Sequence, residues 1–312
     1  MRVLVTGGAG FIGSHLVDRL IGEGCAVRVL DNLSTGKEEN LPARESRLEF
    51  VEGDIASRDT VERCLRETDA VVHLAAVASV QASVDDPIAT HRTNFDGTLH
   101  LLQGAYEMGV RRFLYASSAA IYGDTRELPV AEHIAPNPLT PYAADKLAGE
   151  HYLKYFVAKH GLNASSFRFF NVYGPRQDPS SPYSGVISIF VDRISTDRSV
   201  TIYGDGKQTR DFVYVGDVTS VLARALTDNK GAGRCVNIGR GVECSLLELL
   251  GTLEELTGRR IGREHAPARH GDILRSCADT RALQAWLETV PATPMEEGLR
   301  TLLRHAGVAT QP

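Results

Sequence analysis

The chain has 312 residues, of which 43% are hydrophobic and 23% charged, and a formal net charge of −5 at pH 7. That length can bury a large core and fits one large or two unequal domains. A net acidic chain has no general attraction for nucleic acid or for an anionic membrane surface, so any phosphate site must be built locally.

The chain opens on "RVLVTG", which reads as a buried strand with no charged-then-apolar leader before it. It runs into "GGAGFIGSHL", which sets Gly7, Gly10 and Gly13 at G-x-x-G-x-x-G spacing on a strand-to-helix turn. Glycines there permit a tight turn and close backbone approach to a pyrophosphate at the helix N-terminus. The next stretch, "IGSHLVDRLIGEG", carries Ile12, Leu16 and Leu20 at helical spacing. A second strand, "AVRVLDN", ends at Asp31. An acidic residue about 20 positions after the motif can bond the adenosine ribose hydroxyls and would repel a 2′-phosphate, favouring NAD over NADP. A residue that merely caps the next turn is the alternative. The third strand, "LEFVEGD", leads to Asp54, which either meets the adenine amine or caps a helix. The fourth, "AVVHLAA", ends at Leu74, Ala75 and Ala76. Phe11, Ile12, Asn32, Ile55, Leu74, Ala75 and Ala76 flank these positions and are expected to line the same dinucleotide site.

A helix over "NFDGTLHLLQGAYEMG" precedes the fifth strand, "RRFLYASS", which ends at Ser117 and Ser118. Strand C-termini in such a sheet face the ligand crevice. The helix after Pro141 then carries Tyr142 and Lys146 one turn apart on one face. A lysine beside a phenol stabilises the phenolate and lowers its pKa, which suits a general acid/base near neutrality. Taken singly these are equally a solvated tyrosine, a helix-favouring lysine and a capping serine. Ser118, Tyr142 and Lys146 together, after a dinucleotide turn, are far more specific. "NASSFRFFNVYG" reads as a sixth strand. Continuous Val/Leu-rich strands alternating with helices predict an α/β fold built on a doubly wound parallel sheet of the Rossmann type.

After Gly174 the pattern changes. "PRQDPSSPYSG" reads as a long loop, and "SVTIYGDGKQTRDFVYV" as two short strands around a Gly-rich turn. "DVTSVLARALTD" is a helix, "RCVNIG" a strand, and "CSLLELLGTLEELTG" a helix opened by a capping box of Ser245 and Glu248. The expected division is a dinucleotide-binding domain over 1–174 plus about 211–240, and a smaller C-terminal α/β substrate domain over about 175–210 plus 241–312. Cys25, Cys64, Cys235, Cys244 and Cys277 are scattered, with no metal spacing, and read as free thiols of a cytoplasmic protein.

These motifs give the chain its resemblance to the extended short-chain dehydrogenase/reductase family. The matching stretches are "TGGAGFIGSHLVDRL", "HLAAVASV", "RTNFDGT", "SSAAIYGD", "PYAADKLAGE", "RFFNVYGPRQDP", "YGDGKQTRDFVYVGDV" and "RHGD". Within the family it is most similar to the UDP-sugar 4-epimerases, those acting on UDP-N-acetylglucosamine in particular. The resemblance implies a catalytic set of Ser118, Tyr142 and Lys146, with Lys146 also holding the nicotinamide ribose. It implies that Asn94 supports the helix near the active site. Asn171, Arg210 and Arg269 would grip the sugar-nucleotide diphosphate, as guanidinium forks match phosphate oxygens; Asp272 would hold the uridine ribose. The family's dehydratases and decarboxylases carry an acidic residue just after the serine. Here Ala119 and Ala120 stand there, which implies simple oxidation and re-reduction at C4. Members confined to non-acetylated sugars tend to carry a tyrosine four residues after the aspartate; here that position is Ser276, and Ala78 and Ser79 are also small, leaving room for a 2-acetamido group. A UDP-glucose/UDP-galactose 4-epimerase is the main alternative, with a 4-keto-sugar reductase or a non-catalytic NAD-binding sensor behind it. The resemblance further implies a homodimer formed through helices at about 93–108 and 142–160, and a role in supplying polysaccharide precursors.

Overall fold

The computed structural model describes residues 1–179, 185–228, 230–268 and 273–311. The first half alternates β1 (Arg2–Thr6), α1 (Phe11–Gly22), β2 (Ala26–Asp31), β3 (Leu48–Glu52), α2 (Arg58–Leu65) and β4 (Ala70–His73). Two short helices follow, α3 (Val80–Asp85) and α4 (Pro87–His91), then a π-turn over Arg92–Asp96 that runs into α5 (Gly97–Glu107). Next come β5 (Arg112–Ser118), a 3-10 turn at Ala119–Tyr122, α6 (Pro141–His160), β6 (Ala164–Phe169) and β7 (Asn171–Tyr173). The remainder comprises α7 (Val186–Ser195), β8 (Val200–Tyr203), β9 (Thr209–Arg210), β10 (Phe212–Tyr214), α8 (Val215–Thr227), β11 (Cys235–Ile238) and β12 (Cys244–Ser245). It closes with α9 (Leu246–Thr257), β13 (Arg263–Ala266), α10 (Arg281–Leu287) and α11 (Met295–His305).

Among the described residues seven strands form one parallel sheet in the order β11-β6-β5-β4-β1-β2-β3. The order reverses direction between β1 and β4, the switch point at which doubly wound sheets open a ligand crevice. Strand residues alternate between the two faces. Val3 and Val5 therefore join one core with Leu16, Leu20, Val221 and Leu222. Leu4 joins the opposite core with Val61, Leu101, Leu102 and Phe113. Continuous apolar strands are what burial on both faces requires.

Three expectations change in the structure. The sixth strand breaks at Phe170: Phe170 N still bonds Ile238 O, but Asn171 N bonds Asp211 O, so β7 leaves the main sheet and pairs with β10. The two strands expected around the Gly-rich turn are three, each with a different partner: β8 pairs β13, β9 pairs β12 and β10 pairs β7. A second core gathers Tyr173, Phe190, Ile202, Leu250 and Leu299. Leu283, Trp286 and Leu287, expected in the smaller unit, instead pack into the first core beside Phe167.

The helix that carries the Tyr–Lys pair starts and stops on local chemistry. Thr140 accepts from Ala143 N as N-cap, Pro141 occupies the first turn, and Gly161 ends the helix at φ 69°. A buried polar network fixes the helix to the sheet. Arg168 on β6 forks onto both oxygens of Glu150, at 2.9 and 2.8 Å, and Ser117 donates to the same carboxylate at 2.6 Å. Arg168 also donates to Tyr122, which donates to Asn237. Burial opposes the Arg168 charge, but the Glu150 bonds and charge outweigh it and hold the guanidinium's pKa above its usual range. Glu150→Ala would strand that charge. We expect it to cost about 3–5 kcal/mol, read as a lower urea midpoint.

Candidate active site

The C-terminal ends of β1, β2, β4 and β5 open into a cavity of about 560 Å³. Gly7, Gly10, Phe11, Ile12 and Gly13 form its floor. Gly7 sits at φ +70°, and a Cβ there would lie 2.7 Å from Ala75 N. A Cβ on Gly13 would collide with Gly7 O, so the turn can lie flat against the first turn of α1 only with glycine there. Gly10, the N-cap of α1, offers no side-chain acceptor, and the first turn has no acidic residue. Backbone N–H groups and the positive end of the helix dipole are thus left facing the cavity. This donor set and the glycine cradle fit the pyrophosphate of a dinucleotide.

Asp31, Asn32, Asp54, Ile55, Leu74, Ala75 and Ala76 also line this cavity. Asp31 is buried and accepts from Ala9 N at 3.0 Å and from Leu33 N at 2.9 Å. It therefore shapes the turn while its remaining lone pairs stay at the cavity edge. Asp54 accepts from Ala56 N; Ser57, not Asp54, caps α2. Asn94 does not line the cavity. Its amide clamps Val77 N and Val77 O at 2.7 and 3.1 Å, holding the loop after β4.

His73 completes that support, and sequence reasoning missed it. Thr98 donates to Asn94 O, so it accepts from His73 Nε2 at 2.8 Å. His73 Nδ1 then accepts from Thr6, whose oxygen takes Ala75 N–H. Burial first, and the Lys146 charge second, push the His73 pKa well below its ordinary value, so the ring is neutral. Its signal was a histidine at the end of an otherwise apolar strand. Other lining residues that the sequence reading did not single out are Ser34 and Thr35, outside the matching stretches, and Thr93 and Gln177, within them.

Ser118 and Tyr142 line this cavity and also a second one of about 260 Å³, which contains Ala78, Ala119, Ala120, Asn171, Arg210 and Ser276. Lys146 lies beneath them, 3% exposed, donating to Ala116 O at 2.7 Å. Its ammonium is 5.1 Å from the Tyr115 ring centroid and 5.9 Å from that of Tyr142. Burial brings the Lys146 pKa down to about 8, opposed by Asp145. The expected acidification of the phenol by the lysine is not what this environment produces. Tyr142 is half-buried at the wall of both cavities; loss of water around its phenol raises its pKa, while the neighbouring Ser118 hydroxyl works the other way. Ser118 itself accepts from Ala120 N at 3.2 Å.

Arg210 donates to Thr209 O and Ile273 O, which holds it at the second cavity's rim. Ser79 lines neither cavity; its hydroxyl caps α3 by accepting from Ala82 N at 3.0 Å. Arg269 and Asp272 lie outside the described residues. The five cysteines are free, and no cluster of potential metal ligands occurs among the described residues.

The profile of the NAD dependent epimerase/dehydratase family matches residues 3–239. A UDP-glucose 4-epimerase of Mycolicibacterium smegmatis is 41% identical over 303 residues, spanning 96% of each chain. The structure of a UDP-glucose 4-epimerase from Thermotoga maritima with UDP-glucose superposes with a TM-score of 0.93 at 40% identity, covering 98% of both chains. That of a UDP-N-acetylglucosamine 4-epimerase from Methanobrevibacter ruminantium, in complex with UDP-N-acetylmuramic acid, gives 0.94 at 36% identity and 97% coverage of both.

Gly13→Ala should abolish nicotinamide binding, measured as NAD released on denaturing the purified protein. Lys146 loses its charge as pH rises through about 8. A reaction that uses that charge should decline on the alkaline side there; a pH–rate profile flat across that range would contradict it.

Proposed function

Because the chain belongs to the NAD dependent epimerase/dehydratase family, we propose that it is a UDP-sugar 4-epimerase that interconverts UDP-GlcNAc and UDP-GalNAc. One observation carries the reading: Ser118 and Tyr142 line both cavities, which supports a dinucleotide in the first and a sugar in the second with these two hydroxyls between them. Bound NAD supplies the hydride acceptor for C4 of the sugar and the donor that restores it. Tyr142 removes the O4 proton and later returns it to the same oxygen, and Ser118 holds that oxygen in line. The Lys146 ammonium, facing the tyrosine ring, favours the phenolate in the step where it forms. A high resting phenol pKa then serves the return of the proton. Ala119 and Ala120, at the sugar cavity, cannot transfer a proton, which supports a reaction without dehydration or decarboxylation.

Between the two hydride steps the 4-keto sugar must turn over while its nucleotide stays anchored. Asn171 and Arg210 line the second cavity, which supports a role for both in holding the diphosphate. Small side chains at Ala78 and Ser276 leave volume beside the sugar for an acetamido group. The relatives from M. smegmatis and T. maritima support a second reading, UDP-glucose to UDP-galactose, on the same machinery.

We also infer a homodimer. Tyr106 and Met108, at the end of α5, and Tyr152 and Tyr155 on α6 are exposed, and Ile88 on α4 is 83% exposed. An apolar patch of this kind marks an interaction surface. Among the described residues no helix is long and apolar enough to cross a membrane.

With no cofactor added, UDP-GlcNAc should be converted faster than UDP-glucose; the reverse order would favour the second reading. Tyr142→Phe should lower kcat by about 10²–10⁴-fold while NAD content stays unchanged. Tyr155→Glu should shift the protein towards monomer in light scattering.

A further inference from the structure

The second cavity is charged in one sense only. Among the described residues its ionised lining side chains are Arg210 and Arg275, and no carboxylate lines it. The first cavity, by contrast, holds Asp31, Asp54 and Lys146. On a chain of net charge −5, two guanidiniums gathered at one cavity with no acid lining it suit an anion. Arg210 already has a proposed role there; Arg275 has none.

Arg275 is held by a residue outside the cavity. Its Nε donates to Glu243 Oε1 at 3.0 Å and its Nη2 donates to Oε2, while Glu243 lines neither cavity. The same carboxylate accepts from Thr209 Oγ1 at 2.6 Å. Thr209 N donates to Leu274 O at 2.9 Å and Arg210 Nη1 to Ile273 O at 2.7 Å, so β9, which carries Arg210, runs beside the segment that carries Arg275. The Arg275 side chain is 61% exposed. An ion pair this open adds little to stability. Its effect is to fix a long, rotatable side chain at the edge of the cavity. The pairing engages Nε and Nη2 and leaves the Nη1 group out. A guanidinium fixed in this way loses less freedom when a ligand takes its remaining N–H groups. A diphosphate, with several charged oxygens, can accept from two guanidiniums at once.

We propose that Arg275 is a further binding residue of the second cavity: oriented by Glu243, its guanidinium takes the diphosphate of the sugar nucleotide together with Arg210. The proposal rests on the reading of that cavity as the UDP-sugar site.

Binding of UDP to the NAD-bound protein, followed by calorimetry, tests this, with uridine, titrated by NMR, as the ligand that lacks phosphate. Arg275→Met should raise the UDP Kd about tenfold or more and leave that of uridine near the wild-type value. NAD released on denaturing the variant should match the wild type, which shows the first cavity intact. Arg275→Lys keeps the charge without the planar fork and should recover part of the loss. Unchanged UDP binding in Arg275→Met overturns the proposal, as does an equal loss for UDP and for uridine. Should Arg275→Met fail to fold, Arg275→Gln carries the same expectation. A wild type that binds UDP but turns over no UDP-sugar counts against the epimerase reading and leaves this test standing; a wild type that does not bind UDP overturns both.

Discussion

A buried ammonium is the constraint around which this molecule is arranged. Lys146 is almost fully enclosed, and removing its charge from water is expensive unless the surroundings replace hydration. The replacements come from two elements, β5 and α6 itself. The Ala116 carbonyl on β5 accepts its hydrogen bond, the Tyr115 ring lends a π-face, and Asp145 adds a negative charge. None suffices alone, which is why the lysine still rests at a pKa of about 8. The register of α6 against β5 must therefore be held tightly, since a hydrogen bond of 2.7 Å tolerates little displacement. The Glu150–Arg168 pair, one turn along the same helix and anchored on the adjacent strand, holds it there.

The loop after β4 shows the same logic on the dinucleotide side. Ala75 approaches Gly7 so closely that no side chain fits between them. That approach is defined by a directional chain running from Ala75 N–H through Thr6, His73 and Thr98 to Asn94 O. A protonated imidazole would break it, because Nδ1 must accept. Burial keeps the ring neutral. The nearby Lys146 charge pushes in the same direction, so the lysine and the cofactor wall are electrostatically compatible.

The sheet and the dinucleotide turn were legible because each rests on local chemistry. Strands buried on both faces must be apolar throughout, and a turn that packs against its own helix must be glycine. The start of the helix at Pro141 was legible for the same reason, since a proline favours the first turn; its threonine cap and glycine stop, both local too, emerge in the structure. What could not be read depends on contacts distant in the chain. At the break the Phe170 amide donates to Ile238 O and the next amide, of Asn171, to Asp211 O, two acceptors far off in the chain. Ser79 belongs to a small-residue stretch that suggests a pocket, but its hydroxyl is taken by the Ala82 amide. The rise in the Tyr142 pKa was invisible for a different reason. Sequence spacing shows that a lysine lies one turn away, whereas it does not show how much protein encloses the phenol, and enclosure is the larger effect.

That raised pKa bears on the proposed chemistry. An epimerase must take a proton from O4 and later give one back to the same atom, so its acid/base group should be poorly committed to either form. Burial of Tyr142 favours the neutral phenol; the Ser118 hydroxyl and, when the phenolate forms, the Lys146 ammonium favour the anion. A substrate that displaces water from the cavity strengthens both tendencies, since charges interact more strongly in a drier site. The balance then depends on the lysine remaining charged in a place where burial works against it.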